Sequence, residues 1–400
     1  MPAPSSAFSS LRHPGFRLFL GGQFLSLCGT WMQVVAQGWL VVQLSPSPFV
    51  VGVVGMLGSL PILLFTLHGG VLADRVARRR ALIFLQSLML LEAVTLGTLT
   101  ALKIVTLPWV MVLAFALGSF TAFEVPIRQA FLMEMVGRGD VMNAIALNSL
   151  AFNASRIVGP VAAGVLISSV GLSACFFANA ASYVAVLIAL IRMRPAAPSV
   201  GPAPASARGH FADGLTYLRG AALPRSLLTL SASFSVFGFS FITMLPVYAR
   251  DVLRTGASGY GALMAALGLG AAAGALSMAG LVGERRSPSL IRWAGIVFGA
   301  SLAGLGLAGH IASAAVLLAA AGFGMILNNV MTNTLLQTTT PDHLRGRVMG
   351  FYSLVVLGFA PFGNLLAGWT AEHLGVGVAV GLGGGVCVLA TIIGARGLKD

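Results

Sequence analysis

Long apolar runs separated by short polar connections make up most of the chain. Each run approaches the roughly 20 residues that a helix needs to cross a bilayer. Because lipid offers the backbone no hydrogen-bond partners, a spanning segment has to satisfy its own polar groups, as a helix does. The runs cover 16–43, 50–73, 80–101, 108–132, 143–168, 172–192, 224–249, 257–282, 289–310, 313–337, 346–371 and 375–396. The pattern predicts an all-α membrane protein with 12 transmembrane helices.

Positive charge is distributed unevenly between the connections. An even number of spans puts both termini on one side, and that side holds 20 of the 24 Lys and Arg residues. The other side holds Lys103, Arg250 and Arg254, and Arg156 lies within a span. Since Lys and Arg residues that flank membrane helices stay in the cytoplasm, the N- and C-termini are predicted to be cytoplasmic.

The composition leaves no room for a large soluble domain. The chain is 57% hydrophobic and 9% charged, whereas soluble domains carry about 25% charged residues. Its net charge of +13 is scattered through short connections, so no nucleic-acid partner is expected. Cys28, Cys175 and Cys387 lie far apart in apolar runs, and no His/Cys cluster is present. We therefore expect no metal, no cofactor and no enzymatic activity.

Residues 193–223 form the longest connection and divide the spans into six and six. The segment contains four prolines and then apolar residues at helical spacing, which predicts an extended stretch followed by a short amphipathic helix. We expect a six-helix bundle over 1–192, a cytoplasmic linker over 193–223 and a second six-helix bundle over 224–400. Such a chain matches a fold of two parallel repeats.

Polar side chains recur at helical spacing in the first, fourth, seventh and tenth spans. A bundle around a central aqueous cavity requires this arrangement. The alternative is that small polar groups only join helices. Unpartnered long amides are costly in lipid, which favours the cavity. The predicted substrate cavity comprises Thr30, Gln33, Gln37, Glu124, Arg128, Asn329 and Asn333, together with Asn153 of the fifth span and Phe237 of the seventh.

Glu92, Glu124 and Arg156 are ionisable and lie well inside predicted spans. Each costs roughly 2.5–3.5 kcal/mol at the bilayer centre on insertion scales, so each needs a partner or a wet cavity. Glu124 is the first candidate for proton coupling, because desolvation disfavours its charged form while Arg128, one turn away, favours it. Glu92 and Arg156 are further candidates. A static ion pair between Glu124 and either arginine is the alternative.

A basic hairpin joins the second and third spans and carries a recognisable pattern. The matching residues are Gly70, Leu72, Asp74, Arg75, Arg78 and Arg79. They resemble the G-x-L-x-D-R-x-x-R-R loop between the second and third helices of major facilitator superfamily transporters. Ala77 departs from the pattern, since the family usually has glycine there.

Other strings are similar to the bacterial efflux branch of that superfamily, which includes enterobactin-exporter-like and macrolide-efflux-like proteins. They are 16–19, 124–130, 153–160, 213–219 and 341–349. The resemblance implies a bacterial inner-membrane protein of the major facilitator fold. It also implies conformational gating by the hairpin and by further motif positions. These positions are Gly70, Asp74, Arg75, Arg78, Arg79, Gly159, Pro160, Asp342, Arg345 and Arg347.

The functional hypothesis is a secondary transporter that exports small amphipathic molecules, such as drugs or siderophores, by proton antiport and alternating access. The Gly159-Pro160 string resembles the antiporter motif of the family, which points to export. The expected partners are a small-molecule substrate, protons and the lipid bilayer, and the chain is expected to be a monomer. One alternative is a proton-independent facilitator or lipid flippase. Another is a non-transporting membrane receptor or scaffold.

Overall fold

The fold consists of long helices. A computed structural model describes residues 8–73, 75–193, 215–281 and 288–394, and these residues form no β-strand. The main helices are α1 Pro14–Leu44, α2 Pro48–Ala73, α3 Arg78–Ala101, α4 Leu107–Gly137, α5 Gly139–Ser169, α6 Leu172–Arg192, α7 Ala222–Asp251, α8 Ala257–Leu281, α9 Pro288–Leu305, α10 Ile311–Thr339, α11 in two segments, Asp342–Gly358 and Ala360–Leu374, and α12 Val376–Gly394.

Length and hydropathy agree with the predicted membrane spans for most of these helices. Within the described residues, 11 helices are long and apolar enough to cross a membrane. The exception is α9, which is apolar but shorter and ends at Leu305, whereas the apolar run was predicted to extend to residue 310. Part of the amphipathic helix predicted within 193–223 lies outside the described residues, and 215–220 are helical.

Three local features of the helices were not predicted. Between α4 and α5, only Gly137 has non-helical backbone angles. Its φ of 68° is favourable for glycine, because glycine has no Cβ. A π-helical turn interrupts α7 at Phe234–Gly238, and Phe359 separates the two segments of α11. The two interruptions lie together, because the Ser235 hydroxyl donates to the Val356 carbonyl at 2.9 Å. The π-turn rotates the rest of α7 relative to its first turns.

We call helices α1–α6 the first half of the molecule and α7–α12 the second half. We call the face where α2 ends and α3 begins the arginine face, and the face where α1 ends and α2 begins the opposite face. Near the opposite face, α2 packs against α11, and a Cβ at Gly52 would lie 2.6 Å from the Asn364 carbonyl oxygen. At the same level α5 packs against α8, where a Cβ at Gly261 would lie 3.0 Å from the Gly164 Cα. Small residues therefore let the halves approach closely at this face.

The second half depends on the same device. A Cβ at Gly270 of α8 would collide with the Ala319 carbonyl of α10, and one at Gly274 would lie 2.8 Å from the Phe323 carbonyl oxygen. Backbone, unlike a flexible side chain, cannot move aside without shifting the helix. The α8–α10 crossing is therefore fixed by the lack of side chains at these positions.

Replacing Gly270 with alanine tests this crossing. Because the new methyl group would overlap backbone, Gly270→Ala is expected to destabilise the fold by about 1–3 kcal/mol, the usual cost of overpacking. Gly385→Ala is the matched control, since a Cβ there meets no atom within 4 Å. Thermal unfolding of both variants in detergent measures the difference. Equal midpoints would show that α8 and α10 separate without cost.

Candidate functional site

A central cavity of about 320 Å³ lies between the two halves. Helices α1, α2 and α4 line it from the first half, and α7 and α8 line it from the second. The lining residues are Thr30, Val34, Gln37, Gly38, Val41, Val51, Val54, Gly55, Gly58, Ile62, Ala114, Leu117, Gly118, Thr121, Ile242, Thr243, Pro246 and Tyr260. None of these described residues has a formally charged side chain. The cavity is a mainly apolar site with a few uncharged polar groups.

Two of the predicted cavity residues of α1 line this cavity, and one does not. Thr30 and Gln37 are among its lining residues. Gln33 points instead into the first half, where it is 1% exposed. Its amide nitrogen donates to both carboxylate oxygens of Glu92 on α3, at 2.9 and 3.2 Å. Its amide oxygen accepts from Asn179 of α6 at 2.7 Å. Gln33 is therefore the centre of a buried polar cluster with Glu92 and Asn179, and it does not line the cavity.

This cluster reaches the cavity through Tyr183. Tyr183 of α6 lies beside Asn179 and Thr30, and the side chains of both interact electrostatically with its hydroxyl. Thr30 lines the cavity, so a chain of polar side chains runs from Glu92 through Gln33, Asn179 and Tyr183 to the cavity wall. Within the described residues, Glu92 forms no ion pair. Its charge is balanced only by hydrogen bonds.

Glu124 has the opposite environment. Its carboxylate accepts from the Arg128 guanidinium at 2.8 Å and, more weakly, from the Gln86 amide at 3.4 Å. The two charged side chains are 6% and 11% exposed, and neither residue is among those that line the central cavity. Glu124 and Arg128 therefore form a buried ion pair inside the first half.

Arg156 pairs with an aromatic ring. Its guanidinium carbon lies 5.3 Å from the centre of the Trp31 ring, at a distance that permits a cation–π interaction. The backbone carbonyl of Arg156 also contacts α8, since a Cβ at Gly268 would lie 2.7 Å from it. One helical turn later, a Cβ at Gly159 would lie 2.6 Å from the Trp31 Cβ. This part of α5 thus packs tightly against both α1 and α8.

The remaining predicted cavity residues lie elsewhere. Asn153 donates to the Ser149 carbonyl of its own helix at 2.9 Å. Asn329 and Asn333 line a separate depression between α10 and α11, not the central cavity. Phe237 is 37% exposed and also lies away from the central cavity. The π-turn contains Phe237, so simple helical spacing could not place it.

Two of the predicted gating residues, Arg78 and Arg79, are anchored by hydrogen bonds at the arginine face. Arg78 donates to the Ala73 carbonyl and to Glu134, at 3.1 and 3.0 Å. Arg79 donates to two carbonyls at the end of α6, Leu190 and Ile191. A Cβ at Gly70 would meet no atom within 4 Å, and Arg75 is exposed.

The other gating positions fall on α5 and α11. The Pro160 carbonyl contacts Gly261 of α8. Arg345 donates to the Gln337 carbonyl at 2.8 Å, and Arg347 lies in the same first turns of α11. Asp74 and the side chain of Asp342 lie outside the described residues.

Comparison with known proteins identifies this architecture. The model of the transmembrane secretion effector family matches residues 5–397. The chain belongs to that family, a branch of the major facilitator superfamily. The protein is therefore a multi-pass membrane transporter. The resemblance drawn from the hairpin and the efflux strings is confirmed.

Several related proteins align with almost the whole chain. The staphyloferrin A transporter of Staphylococcus aureus is 24% identical, with 90% of each chain covered. The multidrug efflux pump Tap of Mycolicibacterium fortuitum is 27% identical over 87% of each chain. The enterobactin exporter EntS of Shigella flexneri is 26% identical, covering 95% of this chain and 91% of its own.

Solved structures share the fold. The nucleoside transporter NupG superposes with a TM-score of 0.77 at 11% identity, covering 96% of this chain and 99% of its own. The D-xylose–proton symporter superposes with a TM-score of 0.76 at 14% identity, covering 98% and 99%.

Asn179, Tyr183 and Tyr260 were missed by the sequence reasoning. Asn179 and Tyr183 are four residues apart on α6, a span that carries no charged residue before its last position. An amide and a phenol one turn apart in such a span indicate a buried polar partner, because neither group is satisfied by lipid. Tyr260 had a weaker signal, since it stands near the beginning of α8.

The Glu124–Arg128 pair gives a test of how a buried ion pair stabilises the first half. Arg128→Met leaves a buried carboxylate without its cation and is expected to destabilise the protein by about 3–5 kcal/mol. Glu124→Gln combined with Arg128→Met removes both charges and is expected to recover most of this loss. Thermal unfolding of the two single variants and the double variant measures the coupling. Additive losses would mean that the two charges do not stabilise each other.

Proposed function

We propose that this transporter exports small amphipathic molecules in exchange for protons by alternating access. In this proposal both termini and the arginine face are cytoplasmic, α9 completes 12 spans, and 1–192 and 224–400 move as two bundles joined by 193–223. Export is supported by the roles of the relatives, which include siderophore export and multidrug efflux. The expected surroundings are the lipid bilayer, and the proposed active form is a monomer.

The observation that carries the proposal is a cavity between two halves that are joined at one face. At the opposite face, the Arg250 guanidinium of α7 donates to the carbonyls of Val42, Ser45 and Pro46 at the end of α1, at 3.0, 3.3 and 2.8 Å. Glu372 of α11 accepts from the Ser47 hydroxyl and the Phe49 backbone N–H, at 2.7 and 3.2 Å.

These contacts satisfy both helix ends at the corner between α1 and α2. A guanidinium at a helix C-terminus and a carboxylate at an N-terminus also agree with the helix dipoles. We call the two contacts the Arg250 and Glu372 latches. Each joins one half to the other, so releasing them would let the opposite face open.

For proton coupling we propose Glu92 first and Glu124 second. An ionised carboxylate in an apolar interior is costly unless it is paired, and Glu92 has only hydrogen bonds to compensate its charge. Glu124 already has a cation in Arg128. The row of polar side chains formed by Gln33, Asn179 and Tyr183 would make the environment of Glu92 respond to a ligand in the cavity. Amides do not readily carry protons, so water would deliver the proton itself.

The test of proton coupling compares Glu92→Gln with Glu124→Gln in proteoliposomes. With an imposed pH gradient and a panel of dyes, antibiotics and catecholate siderophores, the wild type is expected to move substrate against its gradient. Glu92→Gln is expected to abolish this accumulation while retaining equilibrium exchange, because a neutral amide cannot release a proton. Glu124→Gln is expected to retain it.

Each other outcome selects a different interpretation. Loss of gradient-driven movement only in Glu124→Gln would transfer the proton site to Glu124. Wild-type flux that ignores the gradient would favour a facilitator or flippase. No flux of any compound would favour a receptor or scaffold.

The Arg250 latch can be tested through the accessibility of the cavity. In a cysteine-free background, a cysteine replacing Val51 would report on opening of the opposite face. Arg250→Ala is expected to raise its rate of maleimide labelling from that side by at least about tenfold, since hydrogen bonds to a charged group contribute about 1.5–3 kcal/mol each. Arg254→Asn, an exposed arginine in the next loop, is the control. Unchanged labelling in Arg250→Ala would contradict the latch.

A further inference from the structure

The polar groups of the central cavity divide into those already bonded and those still free. Thr30 and Thr121 donate to carbonyls of their own helices, Ser26 and Leu117, at 2.9 and 2.8 Å. Thr243 donates to the amide oxygen of Asn364 at 2.8 Å. The structure gives no hydrogen bond to the Gln37 amide or to the Tyr260 hydroxyl within the described residues. These two groups are therefore available to a ligand.

Gln37 and Tyr260 come from different halves and line the same cavity. A Cβ at Gly38, the residue after Gln37, would lie 3.1 Å from the Tyr260 hydroxyl oxygen. The Tyr260 ring stacks on Trp39, with ring centres 6.4 Å apart and planes 26° apart. Glycine at position 38 thus makes room for the hydroxyl, and the tryptophan fixes its direction. A molecule bonded to both groups would bridge α1 of the first half and α8 of the second.

The rest of the cavity presents no charge to a ligand. Its other walls are glycine, alanine and aliphatic side chains together with the three bonded threonines. The nearby ionisable groups of the first half are engaged elsewhere, Glu124 with Arg128, Arg156 with Trp31 and Glu92 with the Gln33 amide. An ion in such a site would lose its hydration without gaining a counter-charge, a cost that a neutral polar group avoids once it is hydrogen-bonded. The volume of about 320 Å³ is at the small end of ligand cavities.

We propose that this cavity selects a compact, uncharged amphipathic molecule and that Gln37 and Tyr260 bind its hydrogen-bonding edge. The inference rests on the proposed transport function, because it assigns the substrate class of the same cavity. Polyanionic chelators and permanently charged cations are poor ligands on this assignment. The bridge between α1 and α8 also gives the substrate contacts with both moving halves.

Equilibrium binding to the purified full-length protein tests the assignment without relying on transport. The probes are chloramphenicol as a neutral aromatic amide, tetraphenylphosphonium as a cation and citrate as a polyanion. Chloramphenicol is expected to bind at least about tenfold more tightly than either ion. Gln37→Leu and Tyr260→Phe are each expected to weaken chloramphenicol by about three- to tenfold, the effect of one lost hydrogen bond.

A charge introduced at the same place gives a sharper test. Gln37→Glu is expected to reverse the preference, because tetraphenylphosphonium would gain a counter-charge in a low-dielectric site. The matched control for Tyr260→Phe is Tyr217→Phe. This variant removes a tyrosine hydroxyl outside the cavity and should leave all three affinities unchanged. Thermal unfolding of each variant excludes losses caused by misfolding.

Several outcomes would overturn the inference. They are equal or tighter binding of an ion by the wild type, no binding of chloramphenicol, or unchanged affinity in both Gln37→Leu and Tyr260→Phe. These binding results are independent of the gradient-driven flux that tests the proposed function. A protein that transports against a pH gradient yet prefers an ion would refute only the substrate class.

Discussion

The cost of an unsatisfied polar group in lipid organises this molecule. Helices satisfy the backbone, and the remaining problem is where the polar side chains go. In the first half, Glu124 and Arg128 neutralise each other, and Glu92 receives both hydrogen bonds from Gln33. These arrangements remove charge from the lipid and also from the cavity. The cavity is consequently left with neutral groups, and its ligand chemistry follows from the way the charges are satisfied elsewhere.

Both halves use glycine at tight helix crossings, and in the described residues the first half adds buried polar groups. The first half contains the buried ion pair and the amide cluster, which tie α1, α3, α4 and α6 together. In the described part of the second half, tight crossings depend on glycine and backbone, as at Gly270 and at Gly384, whose Cβ would lie 2.5 Å from the Gly299 carbonyl oxygen. The asymmetry places the titratable chemistry in one half and leaves the other as an apolar counterpart. A conformational change between them can therefore alter the surroundings of Glu92 without breaking an ion pair across the interface.

The sequence was sufficient for the helices and the family but only partly for the site. Apolar runs and the basic hairpin located the spans, because bilayer thickness and backbone hydrogen bonding leave few alternatives. The polar residues of α1 were predicted to line the cavity together, yet Thr30 and Gln37 line it and Gln33 does not. At 100° per residue, Thr30 and Gln37 differ by only about 20° around the helix, whereas Gln33 lies about 60° from Thr30. That offset turns Gln33 toward α3 and α6, and only the positions of those helices, which the sequence does not contain, could reveal it.

The divergence among these residues of α1 also joins the two functions that the proposed proton-coupled export would require. Thr30 lines the cavity and interacts with Tyr183, while Gln33, one turn later, bonds the carboxylate of Glu92. A helix is stiff over one turn, so a ligand that shifts α1 at Gln37 would also shift Gln33. Hydrogen bonds are steeply sensitive to distance and angle, and Glu92 has no cation to replace them. Substrate binding and proton binding can thus be linked through α1 itself, with no group shared between the two sites.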